Sequence, residues 1–362
     1  MAVRAGKAGR RHFTNIPYRY QRILRRLGIF GLILLLLFLI AWVCWVVWLQ
    51  RYVVYTNEGV KLDFSQSSYD ISGVEAAAPS DDVKISIFYN EGADAIDTAK
   101  EMTQLAGYYI TNDMCKEDMD NVMLQIERLP SKTPVMVEMK GPFGSFFYNS
   151  KLSGAVISQS TDIPAMEKLV ARMNTKGFYK IARISSLRDR SFGEANVTSG
   201  LYMLSRAGLW MDTGGMYWLD PTSASTITWI SSVVLELKEM GFDEVLLDDF
   251  RFPDSDAYIF SGDKPAALQT AATKSMEACS SNKFVVSFGV SDPTFALPDG
   301  RCRMYLSNVD AGSVAATYAK VTVSDPEIRV VFLSESGDTR YDKYSVIRSL
   351  NVAEEVENRK AE

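Results

Sequence analysis

Acidic side chains at the ends of apolar strands are the chemically suggestive feature of this chain. Residues 243–253 read Asp-Glu-Val-Leu-Leu-Asp-Asp-Phe-Arg-Phe-Pro. Side chains alternate along a strand, so Val245 and Leu247 share one face while Leu246 and Asp248 share the other. Asp248 falls where the strand ends, and Asp249, Arg251 and the Pro253 turn follow it. The same parity sets Glu138 and Lys140 beside Met136, and Arg183 with Ile181. Charges on an inward face need partners, because unpaired buried charge is costly. Two readings satisfy that need: an ion-paired interior, or a polar site open at the strand ends. Glu335 ends the apolar run 327–335, with Asp338 close behind. Glycoside hydrolysis uses two carboxylates about 5–5.5 Å or 6.5–9.5 Å apart. Asp248 and Glu335 are the candidate catalytic pair. Glu138, Lys140, Arg183, Asp249 and Arg251 are candidates for orienting the acids or binding sugar hydroxyls.

Other residue types narrow the chemistry. The chain has 362 residues and a single histidine, His12, so everything beyond the first 50 residues lacks one. A Ser-His-Asp site and histidine-ligated zinc are excluded there, and acid–base work must fall to carboxylates, Tyr or Lys. Cys115, Cys279 and Cys302 are far apart and form no metal-binding spacing. Buried free thiols are expected, with a Cys279–Cys302 pair as the alternative. No cofactor or metal is implied. Trp210, Tyr217 and Trp218 crowd one glycine-containing loop, and Phe143, Phe146, Phe147 and Tyr148 another. Exposed aromatic faces there, Trp210 and Trp218 above all, would stack on sugar rings. A loop packed down by its own aromatics is the alternative.

The elements that position these residues alternate. Strands are expected at 105–112, 133–141, 178–185, 243–250, 283–290, 302–308 and 327–335. Helices are expected at 116–129, 162–177, 222–240, 264–280 and 312–321. Gly177 closes the helix at 162–177, and the one at 222–240 is capped by Thr222 or Ser223 and ended by Gly241. Strict alternation of strand and helix implies a parallel sheet. Seven strands fall one short of a closed barrel. Residues 84–90 could add another, so the expected fold is an α/β, TIM-barrel-like (β/α) barrel, possibly incomplete or irregular. Residues 339–362 read as a mainly helical, charged tail.

Residues 208–253 resemble a bacterial family of glycosyl hydrolase-like domains of unknown function, often found behind a membrane anchor. The matching pieces are Trp218-Leu219-Asp220-Pro221-Thr222-Ser223 and Gly241 through Pro253. Lys180 through Ile184 and Val137 through Gly141 are similar to two further strands of that family. The resemblance implies a TIM-barrel-like fold and carbohydrate as substrate. The chain departs from the family in three places. Gly141 stands where the family has a second Asp, Asp249 replaces a Tyr, and the strand Val286 through Val290 lacks the family's Asp. A catalytically degenerate glycan-binding module, or a structural cell-envelope protein, is the alternative these losses suggest.

The N-terminus carries a separate message. Residues 27–49 are 23 residues without a charge, enough to cross a hydrocarbon core as a helix. Trp42, Trp45 and Trp48 crowd its far end, as interfacial aromatics do. Eight of the 39 Lys and Arg residues precede the run and no acidic residue does, which places the N-terminus in the cytoplasm. The run ends in bulky residues rather than a cleavage site, so an uncleaved anchor is expected. The rest of the chain keeps 31 basic and 44 acidic residues, a net charge of −13, which argues against nucleic acid as a partner. The expected organisation is a cytoplasmic tail at 1–26, a transmembrane helix at 27–49 contacting the lipid bilayer, a stalk at 50–82, a glycosidase-like barrel at 83–338 outside the cell membrane, and the tail at 339–362.

Overall fold

The computed structural model describes residues 102–361 continuously, and before them only 30–32, 35–39, 41–42, 53–56 and 59–62. Two compact units divide at Ala93 and Asp94. In the first, residues 30–32, 35–39 and 41–42 are helical, and Val53–Thr56 pairs with Gly59–Leu62 as an antiparallel ribbon. That ribbon falls in the expected stalk. Among the described residues no helix is long and apolar enough to cross a membrane. The expected tail at 1–26, the remainder of 27–49, most of the stalk and the strand at 84–90 lie outside the described residues.

The second unit is a closed barrel of eight parallel strands. They are β1 (Ala106–Ile110), β2 (Pro134–Lys140), β3 (Tyr179–Ser185), β4 (Glu244–Asp248), β5 (Val285–Val290), β6 (Met304–Leu306), β7 (Val330–Ser334) and β8 (Ser345–Ser349). Each pairs with its successor, and β8 pairs with β1 to close the ring. The barrel is therefore complete. Its eighth strand, β8, lies in the segment expected to be a helical tail, and only Ala353–Ala361 there is a regular α-helix.

The strands read as apolar runs because both faces are buried. Met136, Ile181, Leu246, Tyr305, Val331 and Ile347 pack together on the axis. The alternate residues, Val137, Ala182, Val245 and Val286 among them, meet the surrounding helices. Those helices are α1 (Asn112–Arg128), α2 (Ile163–Lys176), α3 (Arg190–Ala195), α4 (Ala224–Glu239), α5 (Lys264–Cys279), α6 (Val314–Tyr318), α7 (Pro326–Arg329) and α8 (Ala353–Ala361). Caps set their ends. Asp162 and Asp263 accept backbone N–H groups at the starts of α2 and α5, and Gly177 turns left-handed, with φ of 68°, at the end of α2. α1 starts earlier than its apolar stripe suggests, because Thr111 caps it and a kink at Asp118 joins two helical pieces.

A buried polar cluster occupies the axis at the N-terminal end of β4. Glu244, fully buried, accepts from Tyr179 at 2.8 Å, Ser287 at 2.7 Å and Tyr305 at 2.7 Å, and pairs with Arg303. This is the ion-paired interior that charge parity allowed, at the end of the strands away from Asp248. At the other end, the long connection from β3 to α4 folds back on itself through single bridges such as Arg188–Trp218 and Tyr202–Leu209. Its Leu201 and Trp218 pack with Tyr258 into a small core of their own.

Candidate active site

β4 delivers Asp248 to the C-terminal rim of the barrel, where (β/α)8 sites are built. Its backbone carbonyl accepts both the N–H of Ser186, at 2.9 Å, and the Ser186 hydroxyl, at 2.6 Å. The adjacent strand supplies Arg183, which approaches the Asp248 carboxylate through Nε at 2.7 Å and Nη2 at 2.5 Å. Both contacts fall on Oδ2. The Asp248 charge holds the Arg183 guanidinium still more firmly protonated than usual.

Gly289 on β5 makes room for Asp248. A Cβ added there would lie 2.6 Å from Asp248 Oδ1 and 3.0 Å from its Cα. Asp249 follows in a left-handed conformation, with φ of 52°, and its Oδ2 accepts from the Ser185 hydroxyl at 2.8 Å. Burial, and then the neighbouring Asp248 charge, push the Asp249 carboxyl above its ordinary value. Asp249 thus ties the ends of β3 and β4 together, and it occupies a backbone region that Asp tolerates better than most residues.

Glu138 stands opposite Arg183 in the β2–β3 register. Its Oε2 accepts the N–H of Asn112, at 2.9 Å, from the first turn of α1. Burial raises its carboxyl above the ordinary range, against the lowering effect of that hydrogen bond and of Arg183. Inward parity therefore holds for Glu138 and Arg183.

It fails for Lys140. The β2–β3 register slips between Glu138 and Lys140, so that Lys140 opposes Ile184 rather than an inward residue. The extra residue, Met139, reverses the alternation. Lys140 is 2% exposed and pairs with the fully buried Asp189 at 2.7 Å. It also donates to the Ser185 carbonyl at 2.8 Å. Its role is to clamp the start of α3, which Asp189 caps.

Glu335 is exposed on the loop after β7. It borders a cavity of about 650 Å³ together with Tyr109, Arg183, Asn308, Asp310 and Arg340. The Tyr109 phenol is pushed upward by burial and by the charge of Glu335. Tyr109 and Asn308 were not singled out in the sequence. Tyr109 alternates with the outward Tyr108, and that parity was the available signal; Asn308, in a left-handed turn with φ of 58°, offered none.

The aromatic platforms are only partly where sugar stacking needs them. Trp218 is buried, donates from Nε1 to Asp212 at 3.0 Å, and has the guanidinium groups of Arg188 and Arg251 near its ring at 5.9 and 5.0 Å. It is core of the β3–α4 connection, and Arg251 is held against it. Trp210 is half-buried against Tyr258, with ring centroids 5.7 Å apart. Of the other loop, Phe146, Phe147 and Tyr148 are buried and Phe143 is exposed. Asp220 accepts from the backbone and hydroxyl of Thr222, the helix-entry role expected of it. Cys115, Cys279 and Cys302 are free, buried thiols, and Cys279 and Cys302 do not pair. Burial pushes the Cys115 thiol to about 12.

An eight-stranded barrel with paired charges at its C-terminal rim is the architecture of many sugar-cleaving enzymes. The chain belongs to the family described as putative glycosyl hydrolase domain, whose profile matches residues 107–289. No curated protein matches it. Among solved structures it is similar to an α-galactosidase from Lactobacillus brevis, at 8% identity and a TM-score of 0.50, over 73% of this chain and 41% of that one. It is also similar to a hypothetical protein from Ruminiclostridium thermocellum, at 18% identity and a TM-score of 0.44, over 50% of this chain and 96% of that one. Aspergillus fumigatus Ega3, solved in complex with galactosamine, matches at 12% identity and a TM-score of 0.42, over 70% of this chain and 95% of that one. This chain thus spans about two fifths of the α-galactosidase, and at such identities the likeness concerns the fold.

Proposed function

We propose that this protein is a membrane-anchored glycoside hydrolase that cleaves a polysaccharide or cell-wall glycan outside the cell. The observation that carries the reading is the Arg183–Asp248 pair at the C-terminal rim, with Arg183 lining the 650 Å³ cavity. Arg183 fixes Oδ2, which leaves Oδ1 to act on the substrate. Asp248 is then the carboxylate that assists attack at the anomeric carbon. Glu335, on the rim of the same cavity, is placed to touch sugar hydroxyls, with Asn308 and Tyr109 beside it. Anchoring rests on the apolar run at 27–49 and the basic residues before it. The N-terminus is cytoplasmic and the barrel extracytoplasmic in this reading.

The test is turnover of a panel of cell-wall and storage polysaccharides by the full chain in detergent, wild type beside Asp248→Asn. Loss of an essential carboxylate removes a factor of about 10²–10⁴, with an unchanged melting profile as the folding control. Glycan binding without turnover by the wild type would replace hydrolysis with a binding role. Wild-type turnover by Asp248→Asn would place the chemistry elsewhere.

A further inference from the structure

The hydrolase reading leaves open which group protonates the departing sugar oxygen. Glu335, the expected partner of Asp248, is exposed on a loop. Glu138 differs in every respect that matters. It is on a strand, not a loop, paired with Arg183 of β3 and one residue past the last β1 pair at Val137. Its Oε2 is oriented by the Asn112 N–H. Among the described residues no hydrogen-bond donor meets its Oε1. Gly141 follows closely: a Cβ there would stand 3.0 Å from the Phe147 ring and 4.0 Å from Oε1.

The register sets the relation to Asp248. Glu138 opposes Arg183, and Arg183 opposes Leu246, two residues before Asp248 on the same face. The two acids thus flank β3 from either side. Two strand spacings separate their backbones by roughly 10 Å, and Arg183 reaches across to Asp248 alone for its ion pair. We propose that Glu138 is the general acid of the site, the partner of Asp248 in cleaving the glycosidic bond. This assignment rests on the hydrolase reading and goes beyond it by naming the proton donor.

The proton inventory closes with these two groups and water. Glu138 delivers its proton to the glycosidic oxygen as the bond from that oxygen to the anomeric carbon breaks. The bond's electron pair goes to the oxygen, which leaves as an alcohol. Water adds to the anomeric carbon, and its spare proton passes to the Asp248 carboxylate. Exchange with solvent returns one proton to Glu138 and removes one from Asp248, so each bond consumes one water. The groups that face Glu138 are Arg183 from β3, Asp248 from β4, and Asp113, Cys115 and the Asn112 N–H from α1. Burial outweighs the cations among them and raises its carboxyl above the ordinary value, the direction a proton donor needs.

The deciding experiment compares leaving groups, with the full chain in detergent. The probes are disaccharides of glucose, galactose, mannose and N-acetylglucosamine, and 2,4-dinitrophenyl glycosides of the same sugars in both anomers. Dinitrophenolate leaves without a proton. Glu138→Gln, which retains an acceptor for the Asn112 N–H, should lose about 10²-fold or more on the disaccharides and stay within about tenfold on the dinitrophenyl glycosides. It should also lose the basic limb of the pH profile. Glu138→Asp should fall between wild type and Glu138→Gln on the disaccharides, and Glu335→Gln should keep the wild-type ratio between the two substrate classes. Equal losses on both classes, or wild-type rates on disaccharides, would overturn the assignment while leaving the hydrolase reading in place. A wild type that cleaves none of the probes, nor the polysaccharides above, would remove both.

Discussion

Arg183 grips one oxygen of Asp248, and among the described residues no hydrogen bond meets the other. Nε and Nη2 both contact Oδ2, while Oδ1 faces Gly289 across a gap too narrow for a methyl group. An ion pair that used both oxygens would be a stronger strut and a poorer tool. With Oδ2 engaged alone, the carboxylate keeps its orientation and Oδ1 makes no ion pair.

Gly289→Ala tests that arrangement. The new Cβ would lie 2.6 Å from Oδ1 and 3.0 Å from the Asp248 Cα. The second contact is with backbone, so rotation of the carboxylate cannot relieve it, and β4 and β5 must part. The expected loss of stability is about 1–3 kcal/mol, the usual range for overpacking. Activity should fall by more than the melting shift explains, because Asp248 moves. Denaturant melts and turnover of the same preparation check this; an Ala variant that melts and turns over like wild type would show that Asp248 has slack.

Lys140 and Asp189 should behave as a structural pair. Both are buried, and Asp189 also accepts from the Phe192 N–H at 2.9 Å and from Trp229 Nε1 at 3.2 Å. Lys140→Met leaves a buried carboxylate without its cation, a change worth about 3–5 kcal/mol. Adding Asp189→Asn to it removes the orphaned charge while keeping an acceptor for the Phe192 cap, and should restore most of the loss. Urea melts of the two variants decide the matter. If Lys140→Met folds at wild-type stability and weakens glycan binding instead, the residue belongs to the site.

Much of this architecture was readable in the chain, and the exceptions share a physical cause. Seven strands announce themselves because a strand buried on both faces must be a continuous apolar run, and Gly177 and Gly241 mark the ends of two helices between them. β8 is hidden in the sequence because its five residues include Ser345, Arg348 and Ser349, and a short polar strand looks like the charged segment around it. Asp248 and Arg183 followed from alternation alone. Lys140 did not, because a bulge at Met139 leaves no mark on composition yet moves every later side chain to the other face. Trp218 shows the same gap between type and place: a tryptophan in a glycine-containing loop reads alike whether its ring meets solvent or, as here, Arg188 and Arg251. The axial Glu244–Arg303 pair needed a contact between residues 59 apart in sequence, which periodicity does not carry.

Membrane orientation predicts a protection pattern. With the basic tail inside and the barrel outside, protease added to intact cells should digest the barrel and leave a small membrane-bound N-terminal fragment. Immunoblotting with tags at both ends reads this directly. Full protection of the C-terminal tag would reverse the orientation, and an intact barrel in the medium would show that the apolar run is cleaved.

Glu138 carries a stability signature whose sign can be worked out in advance. Burial raises its folded-state carboxyl above the unfolded value of about 4.3. Between those two values the folded protein binds more protons than the unfolded chain. Stability contributed by this group therefore falls as pH climbs from about 4.3 through the raised folded value, and stays low above it. Well below pH 4 both states are protonated and the group is neutral in its effect. Glu138→Gln removes the titration and keeps the Asn112 hydrogen bond. At neutral pH it should melt above wild type, at about 2–4 °C for each kcal/mol relieved in a domain of this size. The advantage should shrink as pH falls and vanish near pH 4. Arg183 and the Asn112 N–H oppose the effect but do not reverse it, since burial is the largest influence. Melting curves of the two proteins from pH 4 to pH 8 provide the check. A Gln variant that melts below wild type at neutral pH would mean that the ionised carboxylate is stabilised in the fold, as a partner of Arg183 rather than as a carboxyl poised to hold its proton.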